Sequence, residues 1–260
     1  MSNVMLQSAK ELQGYTLHAS DGDLGTIRTL HFDAQAWCIH YLIVDTGGWF
    51  SGKYVLLPVG VLGQPDREHQ RLAVRLTQEE VRNSPEVPKH TPAPAHDALA
   101  MQTYSGRNIY WSTDPFVLQS LAARPASVPV PEPPPAMSAP LPHPVDMQGS
   151  GATLRSTREV IGYYIQAMDG PLGHVEDFLI DPDTWHIRYM VVDTRNWLPG
   201  RKVLVSPTWI QQISWDAMQV VVALPRDRIK NSPEFDPTKP VDRAYETALY
   251  HFYDQPRYWE

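Results

Sequence analysis

The chain has 260 residues, of which 42% are hydrophobic and 20% are charged, and a formal net charge of −7. This length fits one large domain or two small ones, and the apolar content excludes a wholly disordered chain. The single cysteine, Cys38, excludes an internal disulfide and every zinc or iron–sulfur site built from several cysteines. The negative charge offers no general attraction to nucleic acid, so no direct DNA binding is expected.

The sequence also restricts where the protein acts. No apolar run approaches the roughly 20 residues needed to span a bilayer, and the first residues lack the apolar stretch of an export signal. We therefore expect a cytoplasmic protein, either free or peripheral to the inner face of the membrane.

Short β-strands dominate the first part of the chain. Apolar residues alternate with polar ones, as at Ile39, Tyr41 and Ile43, which is the period of a strand with one buried face. Five or six such runs in about 75 residues, separated by turns, predict a small antiparallel barrel at about residues 6–86. Trp37 is predicted to lie in the third strand and to pack in the interior.

Two aspartates lie at the ends of these predicted strands. Asp21 and Gly22 are predicted to form a turn in which the carboxylate accepts a hydrogen bond from its own backbone, and Asp45 is predicted to cap amides of the loop after the longest strand. A catalytic carboxylate or a metal ligand is the alternative for Asp21, and a place in a proton path is the alternative for Asp45. We favour the structural roles.

The loop after Asp45 contains the best binding candidate. Trp49 and Phe50 either plug the end of the barrel or stand exposed as an anchor for a protein partner, and Lys53 adds a positive charge beside them. A short helix follows, because Thr77 and Glu80 form a capping-box pattern. A tail with weaker helical character then completes a first domain over residues 1–111.

A proline-rich linker is predicted over residues 112–153. Nine of the twenty residues between Pro125 and Pro144 are proline, which excludes a helix or a central strand. An extended polyproline II spacer could separate two bodies by as much as ~60 Å. Recognition of this segment by an SH3-like partner is the less favoured interpretation.

The second half of the chain repeats the first at an offset of 148 residues. About thirty positions are identical, including Trp37 with Trp185 and Trp49 with Trp197. A second barrel is therefore predicted at about residues 154–234, within a domain over residues 154–260. We expect two domains with separate cores, held apart by the linker or docked on each other.

Equivalent residues are assigned equivalent roles in the second copy. The turn and cap residues are Asp169, Gly170 and Asp193, and the candidate binding residues are Trp197, Leu198, Arg201 and Lys202. Apolar residues from Val241 to Phe252 recur at helical spacing, so an amphipathic helix is predicted to follow this barrel and pack on it.

No catalytic, metal or cofactor site is predicted. The chain contains no GxSxG, P-loop, GxGxxG or HExxH motif. None of the ten histidines falls on another at the repeat offset. Cys38 and His40 could supply two metal ligands from one strand face, but two ligands do not make a site. We expect a protein that is not an enzyme and that has no cofactor.

The repeated pattern L-x-G-x6-D-G-x-L-G, followed by Y-x-(I/V)-V-D-T-x-x-W-x-x-G, resembles the PRC-barrel domain. That family includes the cytoplasmic domain of the photosynthetic reaction centre H subunit and the C-terminal domain of the RimM-type ribosome maturation factor. The resemblance implies two small β-barrels that serve as docking or assembly modules. A non-enzymatic, protein-binding module is the favoured function, and the barrels are expected to dock on each other or to dimerise.

The family also supplies two alternative functions. One is an accessory of a photosynthetic or other membrane electron-transfer complex, and the other is a ribosome or RNA-processing assembly factor. The sequence identifies no protein partner.

Overall fold

The computed structural model describes residues 5–47, 52–84, 86–87, 154–194 and 201–259. The described part is mostly β-structure, and it forms two sheets, one for each copy of the repeat. The predicted linker and the tail of the first copy lie outside the described residues.

The first copy contains eight short strands and two short helices. They are β1 (Gln7–Ser8), α1 (Ala9–Leu12), β2 (Thr16–Ala19), β3 (Gly22–Asp33), β4 (Cys38–Asp45), β5 (Tyr54–Pro58), β6 (Leu62–Asp66), β7 (Arg71–Val74), α2 (Gln78–Arg82) and β8 (Glu86–Val87). The strands β2 to β8 form one sheet in the order β6-β7-β2-β3-β4-β5-β8. The predicted capping box of Thr77 and Glu80 is present at the start of α2.

The second copy follows the same plan. Its elements are β9 (Leu154–Ser156), α3 (Thr157–Val160), β10 (Tyr164–Ala167), β11 (Gly170–Ile180), β12 (Ile187–Asp193), β13 (Lys202–Val205), β14 (Ile210–Ser214), β15 (Gln219–Val222), α4 (Arg226–Lys230) and α5 (Arg243–Tyr253). The sheet order is β13-β12-β11-β10-β15-β14. Helix α5 is the predicted amphipathic helix. Among the described residues, no helix is long and apolar enough to cross a membrane.

The prediction of two β-rich, mainly antiparallel domains is therefore confirmed, with one addition. Strand β2 pairs with β7 in parallel, and β10 pairs with β15 in parallel. A glycine that both copies share permits a close contact between strands. A Cβ atom at Gly25 would lie 2.0 Å from the carbonyl oxygen of Asp45, and one at Gly173 would lie 2.0 Å from that of Asp193. Only glycine permits these strands to approach so closely.

The two copies exchange their first strands. Strand β1 of the first copy pairs with β11 of the second, and β9 of the second copy pairs with β3 of the first. The register is equivalent on both sides, because Gln7 faces Ile180 and Arg155 faces Phe32. Each copy thus completes the sheet of the other, and the arrangement has approximate two-fold symmetry.

The seam between the copies, which we define as the contact around β4 and β12, follows the same symmetry. The backbone N–H of Ile39 donates to the carbonyl of Trp185, and that of Ile187 donates to the carbonyl of Trp37, both at 2.8 Å. Cys38 and His186, which are equivalent in the repeat, face each other there as a bridge pair.

The expectation of separate cores is wrong. Most buried apolar residues of both copies belong to one contiguous cluster that runs from Leu6 to Tyr253, and a separate small cluster contains Tyr41, Ile43, Leu56 and Leu154. Phe32, Trp37 and Phe178 connect the two halves across the seam. The repeat indicated two units correctly, but the exchanged strands bring their apolar faces together.

The strand assignment of Trp37 and Trp185 is also wrong. Both residues end the turn before a strand, with φ angles of 54° and 57°. The cause is the preceding aspartate, because the carboxylate of Asp33 accepts hydrogen bonds from the N–H groups of Gln35 and Ala36 and thereby forms a tight turn. The interior packing is as expected for Trp185, which is 4% exposed.

Candidate functional site

The aromatic residues singled out in the sequence, Trp49, Phe50, Trp197 and Leu198, lie outside the described residues. Their basic neighbours are described and lie at the base of the two loops. The carbonyl of Lys53 accepts a hydrogen bond from the Thr46 hydroxyl at 2.8 Å, and the carbonyl of Arg201 accepts one from the Thr194 hydroxyl at 3.0 Å.

The side chains of the two basic residues in the second copy point in different directions. The Arg201 guanidinium donates to the carbonyl of Ser232, and the Lys202 ammonium lies 3.6 Å from Glu176. Both cations therefore have internal partners at the base of the loop.

Asp21 and Asp169 lie in turns as predicted, but their carboxylates hold helices. Asp21 Oδ1 accepts the N–H of Gln78 at 2.8 Å, and Asp169 Oδ1 accepts the N–H of Arg226 at 2.7 Å. These amides open α2 and α4, which lie 57 residues further along the chain. The glycines after them, Gly22 and Gly170, have φ angles of 151° and 148°. Each carboxylate thus binds the free N–H groups of a helix N-terminus.

The aspartates at the strand ends differ from each other. Asp45 Oδ1 accepts the N–H of Gly47 at 3.0 Å, as a loop cap does. Asp193 is only 2% exposed and lies 3.9 Å from His174 Nε2. This difference arises because Thr26 stands in the first copy where His174 stands in the second.

His174, Glu176 and Asp193 are the one group of three potential metal ligands among the described residues. The Lys10 ammonium lies 2.7 Å from Glu176 and that of Lys202 lies 3.6 Å from it. Burial raises the pKa of Glu176, but the hydrogen bond and charge of Lys10 and then Lys202 outweigh it, so the pKa lies below its ordinary value. Two ammonium groups at one carboxylate oppose a divalent cation, so the cluster is best described as an ion-pair network.

Cys38 lacks the properties of a nucleophile. Its side chain is 2% exposed, and burial, followed by the charge of Asp33, raises the pKa of the thiol to about 11. The neutral thiol is a poor nucleophile and a poor metal ligand.

A concave surface lies along one side of the seam. This seam groove has a volume of about 570 Å³ and is lined from both copies. Its wall from the first copy is the turn Ala34–Trp37, and its wall from the second copy includes edge strand β14. The aromatic and charged lining residues are Trp37, His186, Arg188, Trp215, Tyr250 and Tyr258.

The charges in the seam groove are neutralised. Both Nε and Nη2 of Arg188 donate to one oxygen of Asp181, at 3.1 and 2.6 Å. Burial raises the pKa of Asp181, but the hydrogen bonds and charge of Arg188 outweigh it and hold the pKa below its ordinary value. Burial, followed by the charge of Arg188, lowers the pKa of His186. At neutral pH the groove therefore presents aromatic rings and a neutral imidazole beside a compensated ion pair.

A buried polar cluster fixes the end of the chain beside the groove. Glu246 on α5 is 4% exposed, and one of its oxygens accepts the hydroxyls of Tyr189 and Tyr258 at 2.8 and 2.9 Å. The guanidinium of Arg243 lies 2.9 Å from its other oxygen. Tyr258 is 38% exposed, and the guanidinium carbon of Arg188 lies over its ring, 4.3 Å from the ring centroid.

The equivalent position on the other side of the seam is occupied by direct contacts. The amide of Gln64 donates to Asp183 at 2.8 Å and joins β6 to the opposite turn. The residues equivalent to this pair, Gln212 and Gln35, both line the open seam groove. Arg67, which stands where Trp215 stands in the second copy, donates to Glu11 at 3.0 Å.

The repeat did not reveal the seam groove. Tyr258 has an identical counterpart in the repeat, Tyr110, but it was not among the candidate binding residues, and Trp215 has no identical counterpart, since it replaces Arg67 of the first copy. A comparison of the two copies for aromatic residues that only one contains would have found Trp215.

Comparison with known proteins assigns the domains. The model of the PRC-barrel domain family matches residues 7–80 and 153–228, which together are more than half of the chain. The chain is also similar to an uncharacterized protein of Deinococcus radiodurans, with 44% identity over 48 residues. That similarity covers 18% of this chain and 18% of the relative.

Proposed function

The chain belongs to the PRC-barrel domain family, with two domains in tandem, and from this premise we propose that it is a non-enzymatic, protein-binding assembly module. The binding surface is the seam groove. The observation that carries the proposal is the half-exposed aromatic lining of a groove of about 570 Å³. Tryptophan and tyrosine side chains dominate the energetics of protein interfaces, because large rigid rings bury much apolar area at little entropic cost.

The asymmetry of the seam supports a binding role. One side is bridged by Gln64 and Asp183, whereas Gln212 and Gln35 line an open groove on the other. A purely structural seam between two similar domains needs no such difference. Among the described residues, this difference leaves an aromatic groove open on one side of the seam.

The edge of the second sheet supplies a further element of recognition. Strand β14 ends the strand order of its sheet and lines the groove, with Gln211 and Gln212 exposed on it. An extended peptide beside an edge strand can combine backbone hydrogen bonds with contacts to nearby aromatic rings.

Photo-crosslinking in the native cell tests this function. A benzophenone amino acid at Gln212 should give crosslinks to other proteins, whereas the same group at Met168, which is 68% exposed outside the groove, should not. Replacing Trp215 by Ala should reduce the crosslinks from Gln212 several-fold. Equal crosslinking from both positions, or none from Gln212, would exclude the groove as a protein-binding surface.

One feature favours a second candidate, an accessory of a membrane electron-transfer complex. In the second copy, ligand atoms of the half-buried His174 and Glu176 and of the buried Asp193 lie within 4.8 Å of one another. Such a cluster can exchange protons with a neighbouring complex. Fractionation of the native cells tests it, because such an accessory must appear with the membranes, and complete recovery in the soluble fraction would exclude it.

Ribosome assembly remains a prediction of the family resemblance. It requires co-sedimentation with precursors of the small ribosomal subunit at moderate salt, and absence from those fractions would exclude it. The cytoplasmic location is likewise part of the proposal.

A further inference from the structure

We propose that the seam groove is the docking site of the chain's own proline-rich segment, residues 125–144. This inference rests on one part of the proposed function, that the groove binds polypeptide, and it makes the segment a competitor of an external partner for the same groove. The bound ligand is an extended, apolar, proline-rich stretch of polypeptide.

The chemistry of the groove suits such a segment. Proline-rich chains are recognised by grooves lined with aromatic rings, because the polyproline II conformation is formed in advance and presents flat apolar surfaces. Trp37 and Trp215 are partly exposed and Tyr258 is 38% exposed, so three rings from both copies are accessible at the groove.

The segment and the groove are also compatible in charge. The segment contains one acidic residue, Glu132, and no lysine or arginine. In the groove, Arg188 is neutralised by Asp181 and the pKa of His186 is lowered. The almost uncharged segment would therefore lie on a surface where the charge of Arg188 is already compensated. A strongly charged peptide would gain little there.

The point at which the chain rejoins the structure brings the segment to the groove. Leu154 pairs with Asp33, the residue before the turn that forms one wall of the groove. The next residue, Arg155, stacks on Trp215, with its guanidinium carbon 4.2 Å from the ring centroid. The chain therefore enters β9 at the rim of the groove.

The length of the connection allows docking without strain. Nine residues, 145–153, separate Pro144 from Leu154. When extended they span at most about 30 Å. Such a short tether gives an effective concentration in the millimolar range, so even a weak contact would be occupied in the intact chain.

The stoichiometry agrees with a single docking site. The chain has one proline-rich segment of this kind. The equivalent side of the seam is bridged by Gln64 and Asp183, and Arg67 stands there in place of Trp215. The aromatic groove and its occupant therefore each occur once in the described arrangement.

Paramagnetic relaxation in the full-length chain tests the proposal. A nitroxide is attached to the variant Ala136→Cys, while Cys38 stays unlabelled because it is buried and protonated. The indole N–H signals of Trp37 and Trp215, assigned with Trp→Phe variants, should lose at least half of their intensity relative to the reduced label. With the label reduced, an unchanged chemical shift of the indole N–H of Trp209, which is 4% exposed, reports that the fold is intact.

A matched variant separates docking from random proximity. Replacing Pro133, Pro134 and Pro135 together by Gly should restore the signals of Trp37 and Trp215 by at least two-fold, since the linker length is kept and only its stiffness and apolar surface are lost. Equal broadening in both chains, or none in the parent, would overturn the proposal. Both variants lie outside the described residues and should leave the melting temperature nearly unchanged.

Crosslinking from Gln212 distinguishes this inference from the proposed function. Crosslinks only to residues 125–144 would support internal docking and exclude an external partner under those conditions. Crosslinks to other proteins without relaxation at Trp215 would overturn internal docking and leave the assembly function in place. Absence of both effects would remove both proposals.

Discussion

The rings of Phe32 and Phe178, which belong to different copies of the repeat, lie 5.8 Å apart between their centroids. Both side chains are fully buried, and Trp37 stacks on Phe32 at 5.3 Å. These rings join the apolar interiors of the two domains. The two domains should therefore unfold as one cooperative unit.

Calorimetry checks this cooperativity. The unaltered chain should give a single unfolding transition, and Phe178→Ala should lower the free energy of unfolding by about 3–5 kcal/mol, because it removes a large ring from the shared interior. Phe178→Leu, which retains most of the apolar volume, should cost much less. Two well-separated transitions in the unaltered chain would contradict the shared interior.

The exchanged strand β1 is anchored by Ser8. Its hydroxyl bonds to the carboxylate of Asp177 in the second copy and accepts the N–H of Glu11 as the cap of α1. Ser8→Ala should therefore destabilise the protein by about 1–2 kcal/mol in urea unfolding. Ser20→Ala in an exposed turn is the control and should have little effect. An equal change in the free energy of unfolding for both variants would show that Ser8 does not stabilise the exchanged strand.

His186 should make the stability depend on pH. Because its pKa is lowered in the folded protein, the unfolded chain takes up the proton first as the pH falls below about 6.5. The free energy of unfolding should then decrease as the pH falls towards the pKa of His186 in the folded protein. Below that pKa both states carry the proton, so the free energy of unfolding decreases no further. Urea unfolding at about pH 7.5 and about pH 5.5 should detect this loss, which His186→Gln should reduce. His251→Gln, on the exposed face of α5, is the control, and an unchanged pH dependence in His186→Gln would contradict the prediction.

The buried carboxylate of Glu246 should hold α5 on the second domain. Tyr189→Phe removes one of its hydroxyl donors in a fully buried position, so a loss of about 1–3 kcal/mol in the free energy of unfolding is expected. Tyr258→Phe should cost less because water can reach that residue. Tyr164→Phe, at a side chain that is 63% exposed, should be neutral. Equal losses in all three variants would argue against a specific role of the cluster.

Cys38 should react only when the protein unfolds. Its pKa of about 11 leaves little thiolate near neutral pH, and its side chain is buried. A disulfide reagent at about pH 8 should therefore modify the native protein about 100-fold more slowly than the urea-unfolded protein. Similar rates in the two states would mean that the seam opens readily.

The sequence predicted much of each domain because the information is local. The capping box of Thr77 and Glu80 and the helical spacing in α5 depend on neighbours within a few turns, and both appear in the structure. The turn at Trp37 was missed, since the side-chain hydrogen bonds of Asp33 override the strand pattern there. Asp21 was recognised as structural, but its partner at Gln78 lies too far along the chain for a local pattern to indicate.

The internal repeat and its motif were enough to predict two PRC-barrel domains, one on each side of a proline-rich segment. Only the tertiary structure decided that each domain gives its first strand to the other, that both share one apolar interior, and that an aromatic groove is open on one side of the seam. The physical reason is that a strand pattern specifies which face of a strand is buried but not which sheet it joins. That choice depends on contacts between residues more than 100 positions apart, such as Gln7 with Ile180, which no local sequence pattern records.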